Sequence, residues 1–336
     1  MIYKQLGKTG LKVSVVGFGG IPVQRTDKDG AKEAIIKSEQ LGINYIDTAR
    51  GYTVSEEFIG YALEGRRKNW IIATKSMCRD FDSMEKDIQI SLNNLRTDYI
   101  DLYQVHNIKD MQQYEAIFSE NGAYKALLKA KEEGKIGHIG ATFHSLEVLK
   151  VAIESGKFET VMYPYNIVEN QAEDLFKRAK ELDIGVIVMK PLAGGAITDG
   201  ALALKYILNN ENVSTVIPGM ADLKEVEENA TAGNDIKPLN DEEINKINGI
   251  KKQLGSEFCR RCGYCAPCTK GIDIPSVFLF AGYKERYNLE GWAEDRYNTL
   301  KATAKDCIKC GACEKRCPYN LPIIKMMEKA KVTFGR

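Results

Sequence analysis

The sequence lacks the long apolar runs that membrane proteins need. Apolar runs such as residues 186–189 are far shorter than the about 20 residues of a spanning helix, and the start, MIYKQLGKTG, has no apolar signal-peptide core. An excess of one charge is also missing, because 47 Lys and Arg stand against 46 Asp and Glu. We therefore expect neither a membrane nor a nucleic-acid partner, and a cytoplasmic location.

Cysteine and charge are unevenly distributed along the 336 residues. Eight of the nine cysteines lie between Cys259 and Cys317, and residues 253–336 carry a net charge of +6 against −5 for residues 1–252. This shift predicts two domains, 1–252 and 253–336, and the first is long enough for a barrel of about 250 residues. Disulfides would need an oxidising compartment, which the missing signal peptide argues against, so metal ligation is the favoured role of the cysteines.

The first 250 residues alternate between short β-branched runs and segments with helical periodicity. Eight such pairs predict an α/β fold, a (β/α)8 TIM barrel, because each parallel crossover needs a helix. A doubly wound sheet would alternate similarly, but GFGG at residues 17–20 lacks the GxGxxG spacing of a dinucleotide-binding turn. The predicted strands are 13–18, 43–47, 70–75, 99–106, 136–142, 160–163, 184–190 and 213–217. The predicted helices are 32–41, 55–63, 83–95, 123–133, 147–155, 172–182, 201–208 and 223–230.

Four polar residues are placed where chemistry gathers in such a barrel, at the carboxyl ends of its strands. Asp47, Lys75 and His106 close the second, third and fourth predicted strands, and Tyr52 follows in the loop RGYTVSE. Adjacent strands lie about 5 Å apart, so these side chains can converge. A carbonyl reduced by hydride needs a proton, which a tyrosine donates better when a cation such as Lys75 lowers its pKa. A structural ion pair of Lys75 and Asp47 is the alternative.

These residues and their surroundings resemble the aldo/keto reductase family. The similarity covers about residues 1–250 and includes GKTGLKVSVVGFGG, INYIDTARGY, ATKS, YIDLYQVH, the PLAGG run at residue 191 and VIPGM at residue 216. The resemblance implies a catalytic tetrad of Asp47, Tyr52, Lys75 and His106, with Tyr52 as general acid and base. It also implies an NAD(P)H-dependent oxidoreductase that acts on a small carbonyl or alcohol.

The same resemblance implies a nicotinamide cofactor bound across the barrel mouth without a Rossmann fold. Backbone amides in glycine-rich loops can hold its phosphates. NADP(H) and NAD(H) both stay open, because Ala221 and Asp222 stand where many NADPH-selective relatives have a basic residue, and Lys224 is the nearest candidate for a 2′-phosphate. The expected cofactor-binding residues are Gly20, Ile21, Asn166, Leu192, Gly194, Gly195, Ile217, Gly219, Met220 and Asn229.

The C-terminal cysteines form two runs, CRRCGYCAPC from residue 259 and CIKCGACEKRCP from residue 307. The second has the spacing of bacterial two-cluster ferredoxins, in which three close thiolates bind one cubane and the fourth reaches the other. This pattern predicts a ferredoxin-like domain with two 4Fe-4S clusters. One cluster would be held by Cys259, Cys262, Cys265 and Cys317, and the other by Cys307, Cys310, Cys313 and Cys268.

Three alternatives concern the metal sites and the function of the chain. Two tetrahedral zinc ions are the alternative for the thiols, because four-thiolate zinc also uses CxxC pairs. The clusters would either act as structural staples or transfer electrons. For electron transfer, the positive face of the domain could dock an acidic electron carrier; this face includes Lys309, Lys315, Arg316, Lys325 and Lys329. Hydride cannot enter a one-electron centre directly, so electron transfer needs a relay such as a flavin. A non-enzymatic binding or regulatory barrel with structural metal sites is the alternative for the whole chain.

Overall fold

A computed structural model describes residues 1–254, 257–261, 263–287, 289–317 and 319–335. These residues divide into two compact units. The first comprises Met1–Asn166, Asn170–Pro191 and Gly200–Leu239, and the second comprises Ile167–Glu169, Leu192–Asp199 and Asn240–Arg336. Two short segments that precede residue 240 therefore pack with the C-terminal unit.

Eight parallel strands form one sheet in the first unit, and their order in the sheet follows their order in the chain. Parallel bridges from Val16 to Val216 and from Gly19 to Gly219 join the first strand to the last. The predicted (β/α)8 barrel is confirmed by this arrangement. After a hairpin of β1 (Tyr3–Gln5) and β2 (Lys12–Ser14), the barrel strands are β3 (Phe18–Gly19), β4 (Tyr45–Asp47), β5 (Ile71–Ser76), β6 (Ile100–Ile108), β7 (Ile136–Phe143), β8 (Thr160–Pro164), β9 (Gly185–Met189) and β10 (Thr215–Val216).

The N-terminal hairpin packs against the amino end of the barrel. The predicted strand 13–18 divides here, because β2 pairs antiparallel with β1 and only β3 joins the barrel. Leu6 and Val13 are fully buried in one cluster with the side chains of the barrel interior. Gly7 has φ +52°, and a Cβ at this position would lie 2.2 Å from the backbone nitrogen of Gly185. The turn therefore requires glycine. The carboxyl ends of the barrel strands lie at the opposite end of the barrel from this hairpin.

Helices follow the strands as the apolar periodicity predicts, with one addition. The additional helix, α4, lies between β6 and β7 and begins after Asp110, whose carboxylate accepts from the backbone of Gln113 at 2.8 Å. No helix among the described residues is long and apolar enough to cross a membrane. The helices of this unit are α1 (Lys28–Gln40), α2 (Ser55–Ala62), α3 (Phe81–Asn94), α4 (Met111–Phe118), α5 (Ala123–Glu132), α6 (Leu146–Glu154), α7 (Glu173–Glu181), α8 (Gly200–Leu208) and α9 (Leu223–Thr231).

The interior of the barrel changes from apolar to polar along its strands. Tyr45, Ala73 and Leu102 are fully buried in the interior cluster. Side chains alternate along a strand, so the residues two positions further on face the same way. Those residues are Asp47, Lys75 and Gln104. The strand period therefore places three polar side chains above the apolar interior, at the carboxyl end.

The second unit consists of helices around a small core that includes cysteines. Buried Cys265 and Cys317 belong to the same apolar cluster as Val277. The ring of Tyr297 stacks on Phe334 with centroids 3.7 Å apart, and the Tyr297 hydroxyl accepts from the backbone of Ala304 at 3.0 Å. The helices are α10 (Asp241–Leu254), α11 (Ile274–Tyr287), α12 (Glu290–Asn298), α13 (Ala312–Arg316) and α14 (Ile323–Phe334).

Candidate active site and cysteine cavities

A buried ion pair lies at the carboxyl ends of β4 and β5. Lys75 Nζ donates to Asp47 Oδ1 at 2.5 Å and to the backbone oxygen of Thr48 at 2.7 Å. Only 1% of the Lys75 side chain and 3% of the Asp47 side chain are exposed. Gln104 Nε2 donates to the other Asp47 oxygen at 3.2 Å. The ammonium and the carboxylate are therefore held in one geometry from several sides.

Burial and the ion pair act in opposite directions on these two groups. Burial raises the pKa of Asp47, and the charge and hydrogen bond of Lys75 oppose that rise. Burial lowers the pKa of Lys75, and Asp47 opposes that fall. Each partner therefore favours the charged form of the other, and removing either one leaves a buried group with an unfavourable charge.

Tyr52 lies beside this pair, in the loop between β4 and α2. Lys75 Nζ is 5.0 Å from the centroid of the Tyr52 ring. Hydrogen bonds within the loop fix the backbone on both sides, from Tyr52 to Ala49 at 3.0 Å and from Ser55 to Tyr52 at 2.9 Å. The ring of Tyr52 is half-buried, so its environment combines a fixed cation with access from outside.

His106 completes the group at a bulge of β6. The pairing of β6 with β7 shifts register between Val105 and Ile108, and Asn107 has φ +53°. The His106 ring packs edge-on against Tyr52, with centroids 5.8 Å apart. Burial, then the positive charges of Lys75 and other cations, holds the pKa of His106 well below its usual value. The imidazole is therefore neutral, and no described residue hydrogen-bonds its buried Nδ1.

Two residues that support this site were missed by the sequence reasoning. Gln104 contacts Asp47, and its position two residues before His106 on the same strand was the signal that could have identified it. Arg79 donates to the backbone oxygens of His106 and Asn107 at 2.8 and 2.9 Å, which fixes the bulge. Arg79 follows β5 in a loop, and no periodic pattern predicts its partners.

Several predicted cofactor-binding residues lie close to Asp47 in the first unit. The backbone nitrogen of Gly20 donates to the backbone oxygen of Asp47 at 2.8 Å, and the backbone nitrogen of Met220 donates to the backbone oxygen of Gly19 at 3.2 Å. A Cβ on Gly219 would lie 2.5 Å from Pro22 Cγ, so this position stays free of a side chain. Ile21 follows Gly20, and Ile217 directly follows β10 and is 9% exposed.

The remaining predicted cofactor-binding residues belong to other segments of the chain. Asn166 is fully buried and donates its side-chain amide to the Lys190 oxygen at 3.0 Å, and Asn229 is a buried residue of α9. Leu192, Gly194 and Gly195 belong to the second unit. Gly194 and Gly195 have φ +69° and +75°, a conformation that glycine adopts without strain. The structure thus shows glycine-lined backbone near Asp47 and a buried imidazole nitrogen beside Tyr52, features that fit a bound dinucleotide and a carbonyl.

The cysteines of the second unit surround two cavities. One, open to solvent, is lined by Cys268, Cys307, Cys310 and Cys313. The other is lined by Cys259, Cys265 and Cys317. The eighth predicted ligand, Cys262, lies outside the described residues. Each cavity therefore draws thiols from both cysteine runs.

Backbone amides lie beside two of the cysteine sulfurs. The backbone nitrogens of Arg261 and Lys270 donate to the sulfurs of Cys259 and Cys268 at 3.4 and 3.5 Å. Donors to sulfur stabilise the thiolate and tune an iron–sulfur centre. Isoleucine side chains, Ile274 among them, cover both cavities on the protein side.

Comparison with known proteins identifies both parts of the chain. The model of the aldo/keto reductase family matches residues 15–201 and 197–252. The chain belongs to the aldo/keto reductase family. A model described as a 4Fe-4S dicluster domain matches residues 258–322. The resemblance seen in the sequence is thereby confirmed, and this aldo/keto reductase is an oxidoreductase with a C-terminal iron–sulfur domain.

Three relatives illustrate the match of the reductase part. L-galactose dehydrogenase of Arabidopsis thaliana is 30% identical over 74% of this chain and 93% of its own. The NADH-specific methylglyoxal reductase of Escherichia coli is 28% identical over 63% of this chain and 76% of its own. The solved aldo-keto reductase AKR11C1 from Bacillus halodurans, in its holo form, is 29% identical with a TM-score of 0.66 and covers 74% of this chain and 96% of its own.

Proposed function

We propose that this reductase transfers hydride between a nicotinamide dinucleotide, NADPH or NADH, and a small carbonyl or alcohol, with Tyr52 as general acid and base. The observation that carries this proposal is the buried Lys75–Asp47 pair beside the ring of Tyr52. The dinucleotide supplies or accepts the hydride when it is bound. The names of relatives, including an NADH-specific reductase, support the same chemistry.

The proton is the part of the reaction that the chain's own residues supply. In the reductive direction Tyr52 gives its hydroxyl proton to the oxygen of the substrate carbonyl, and in the oxidative direction it takes that proton back. An ammonium beside a phenol favours the phenolate, so Lys75 makes Tyr52 a better acid. Asp47 keeps Lys75 in place and charged despite burial, and Gln104 fixes the carboxylate.

His106 has a different role in this proposal. A neutral imidazole donates one hydrogen bond, and it does not compete with Tyr52 as the proton donor. We assign to His106 the role of orienting the substrate carbonyl, and Arg79 holds the backbone of His106 in place. The proposed dinucleotide contacts are Gly20, Ile21, Asn166, Leu192, Gly194, Gly195, Ile217, Gly219, Met220 and Asn229.

We also propose that the second domain, residues 253–336, carries two 4Fe-4S clusters. The supporting observations are the match to a dicluster model and the two cavities, each lined by thiols from both runs. The ligand sets are Cys259, Cys262, Cys265 and Cys317 for one cluster, and Cys268, Cys307, Cys310 and Cys313 for the other. An acidic electron carrier that docks on the positive face stays a proposal for a redox role of these clusters.

Substitution of Tyr52 tests the function. Tyr52→Phe should lower carbonyl reduction about 10²- to 10⁴-fold, because it removes the proton donor, and should leave the dissociation constant of the dinucleotide unchanged. The matched control is Tyr61→Phe, which removes an exposed hydroxyl that donates to Asp29 at 3.0 Å. Full activity of Tyr52→Phe would exclude the proposed acid. A wild-type protein without carbonyl reductase activity that still binds its dinucleotide would favour the regulatory barrel instead.

A further inference from the structure

Two segments of the barrel sequence pack with the C-terminal unit, and both are linked to the proposed dinucleotide site. Ile167–Glu169 comes directly after Asn166, and Leu192–Asp199 contains three of the proposed contacts. Arginine side chains of the C-terminal unit hold each segment. The contacts to Ile167–Glu169 come from Arg260 and Arg261 in the first cysteine run.

Arg261 joins a cluster ligand to the segment after Asn166. Its guanidinium donates to Glu169 Oε1 at 2.7 Å, and only 1% of the Glu169 side chain and 12% of the Arg261 side chain are exposed. Its backbone nitrogen donates to Cys259 Sγ at 3.4 Å. Arg261 has φ +57°, a costly conformation for a residue with a side chain. The geometry of Arg261 is therefore tied to the thiol on one side and to a buried carboxylate on the other.

Arg260 and Arg286 add contacts of the same kind. Arg260 Nε donates to the backbone oxygen of Val168 at 2.9 Å, and its guanidinium lies 4.1 Å from the centroid of the Tyr319 ring. Arg260 and Tyr319 both line the cavity of Cys259, Cys265 and Cys317. Arg286 Nε donates to the backbone oxygen of Gly194 at 2.8 Å.

We propose that the cluster bound at Cys259, Cys265 and Cys317 sets the affinity for the nicotinamide dinucleotide, with Arg261 and Glu169 as positioning residues. The inference rests on the proposed function, since it assumes that Asn166 contacts the dinucleotide. Loss of a charged partner from a buried carboxylate is strongly unfavourable, so the position of Glu169 depends on that of Arg261. Without the cluster, the turn at residues 259–261 loses its anchor, the contact of Arg261 with Glu169 is lost, and the chain after Asn166 leaves its binding geometry.

The test measures dinucleotide binding and iron content separately. The dissociation constants of NADPH and NADH are measured by nicotinamide fluorescence on the full chain purified without air, and iron and visible absorption are recorded for each variant. If Ile167–Glu169 keeps its binding geometry about one-tenth of the time in Glu169→Gln, the dissociation constant of the dinucleotide rises about tenfold. Arg261→Lys keeps the charge and should weaken binding less. The control Glu154→Gln breaks an exposed pair with Arg178 at 2.8 Å and should change nothing.

Removal of iron by a chelator supplies the second arm. Iron removal should weaken dinucleotide binding to the wild-type protein by a similar factor. It should add little in Glu169→Gln, because both changes break the same contact between Arg261 and Glu169. Fluorescence of the buried Trp70, recorded in a Trp292→Phe background, reports whether the barrel stays folded. Unchanged affinity of Glu169→Gln with full iron content overturns the proposal, and so do independent, additive effects of the two changes. If Glu169→Gln loses iron, Arg261→Lys that retains full iron takes its place, and its dissociation constant is compared before and after iron removal in the same way. A wild-type holoenzyme that binds neither dinucleotide overturns the proposed function itself.

Discussion

Replacement of Lys75 by methionine tests the energetic role of the buried pair directly. Methionine is unbranched and similar in length, so the change removes mainly the charge. Asp47 then keeps its carboxylate at 3% exposure, with the Gln104 donor at 3.2 Å as a hydrogen-bonding partner. Removing one partner of a buried ion pair costs about 3–5 kcal/mol of the free energy of unfolding. We expect Lys75→Met to lose stability of this size.

The double variant separates the ion pair from simple packing. In Asp47→Asn combined with Lys75→Met, no buried charge is left without a partner. Neutral replacements of a buried pair are often tolerated, so the double variant should be at least about 2 kcal/mol more stable than Lys75→Met alone. Additive losses would refute the view that the two charges act as a unit.

The effect of Lys75→Met should also depend on pH. Burial raises the pKa of Asp47, and without Lys75 nothing of comparable strength opposes that rise. The folded state then binds a proton more tightly than the unfolded state does. Stability of the variant should therefore increase as pH falls through the raised pKa, by at most about 1.4 kcal/mol per pH unit. A pH-independent deficit would contradict this reasoning.

The two tryptophans make the measurement specific to the barrel. The sequence contains Trp70, 2% exposed in the first unit, and Trp292 in the second. In a Trp292→Phe background, tryptophan fluorescence during urea unfolding reports on the surroundings of Trp70. The wild-type chain and all Lys75 and Asp47 variants are compared in this background.

Three further predictions follow from the described contacts. Protein purified without air should contain about eight irons and no zinc per chain, measured by elemental analysis, and zinc in place of iron would contradict the cluster assignment. Gly7→Ala should destabilise the barrel by about 1–3 kcal/mol or more in urea titrations, because of its φ of +52° and the backbone of Gly185 beside it. Burial raises the pKa of Glu159, but hydrogen bonds from His138 and Lys131 outweigh it and lower the pKa to about 2. Glu159 therefore stabilises the fold above its unfolded pKa of about 4.3, and this contribution is lost as pH falls toward 2, so Glu159→Gln should flatten the acid loss of stability.

The barrel was predictable because its signals are local. Apolar runs, helical periodicity and polar residues at strand ends each occupy a few neighbouring positions, and together they placed Asp47, Lys75 and His106 at one end of the sheet. The division of the predicted strand 13–18 was not predictable in this way. The same β-forming residues suit a hairpin and a barrel strand, and only the tertiary partners of Val13 and Phe18 decide between them.

The supporting contacts of the site were less accessible from the sequence. Gln104 follows from the two-residue period of β6 once the inward face is known. Arg79, Glu169 and Arg261 do not, because their partners lie in distant parts of the chain and a charged residue in a loop carries no pattern. The role of a loop arginine depends on long-range geometry that composition and spacing do not encode.

Each cavity is lined by cysteines from both runs, which has a consequence for the biosynthesis of the protein. Cys317 lies at the cavity of the first run, and Cys268 lies at the cavity of the second. While the ribosome is still translating the residues between the runs, neither cavity has its full set of sulfurs. With the ligand sets proposed above, the set of Cys268 is complete only when residue 313 has left the exit tunnel and the set of Cys259 only when residue 317 has, so a nascent chain that stalls between the runs would expose a reductase barrel with two incomplete metal sites.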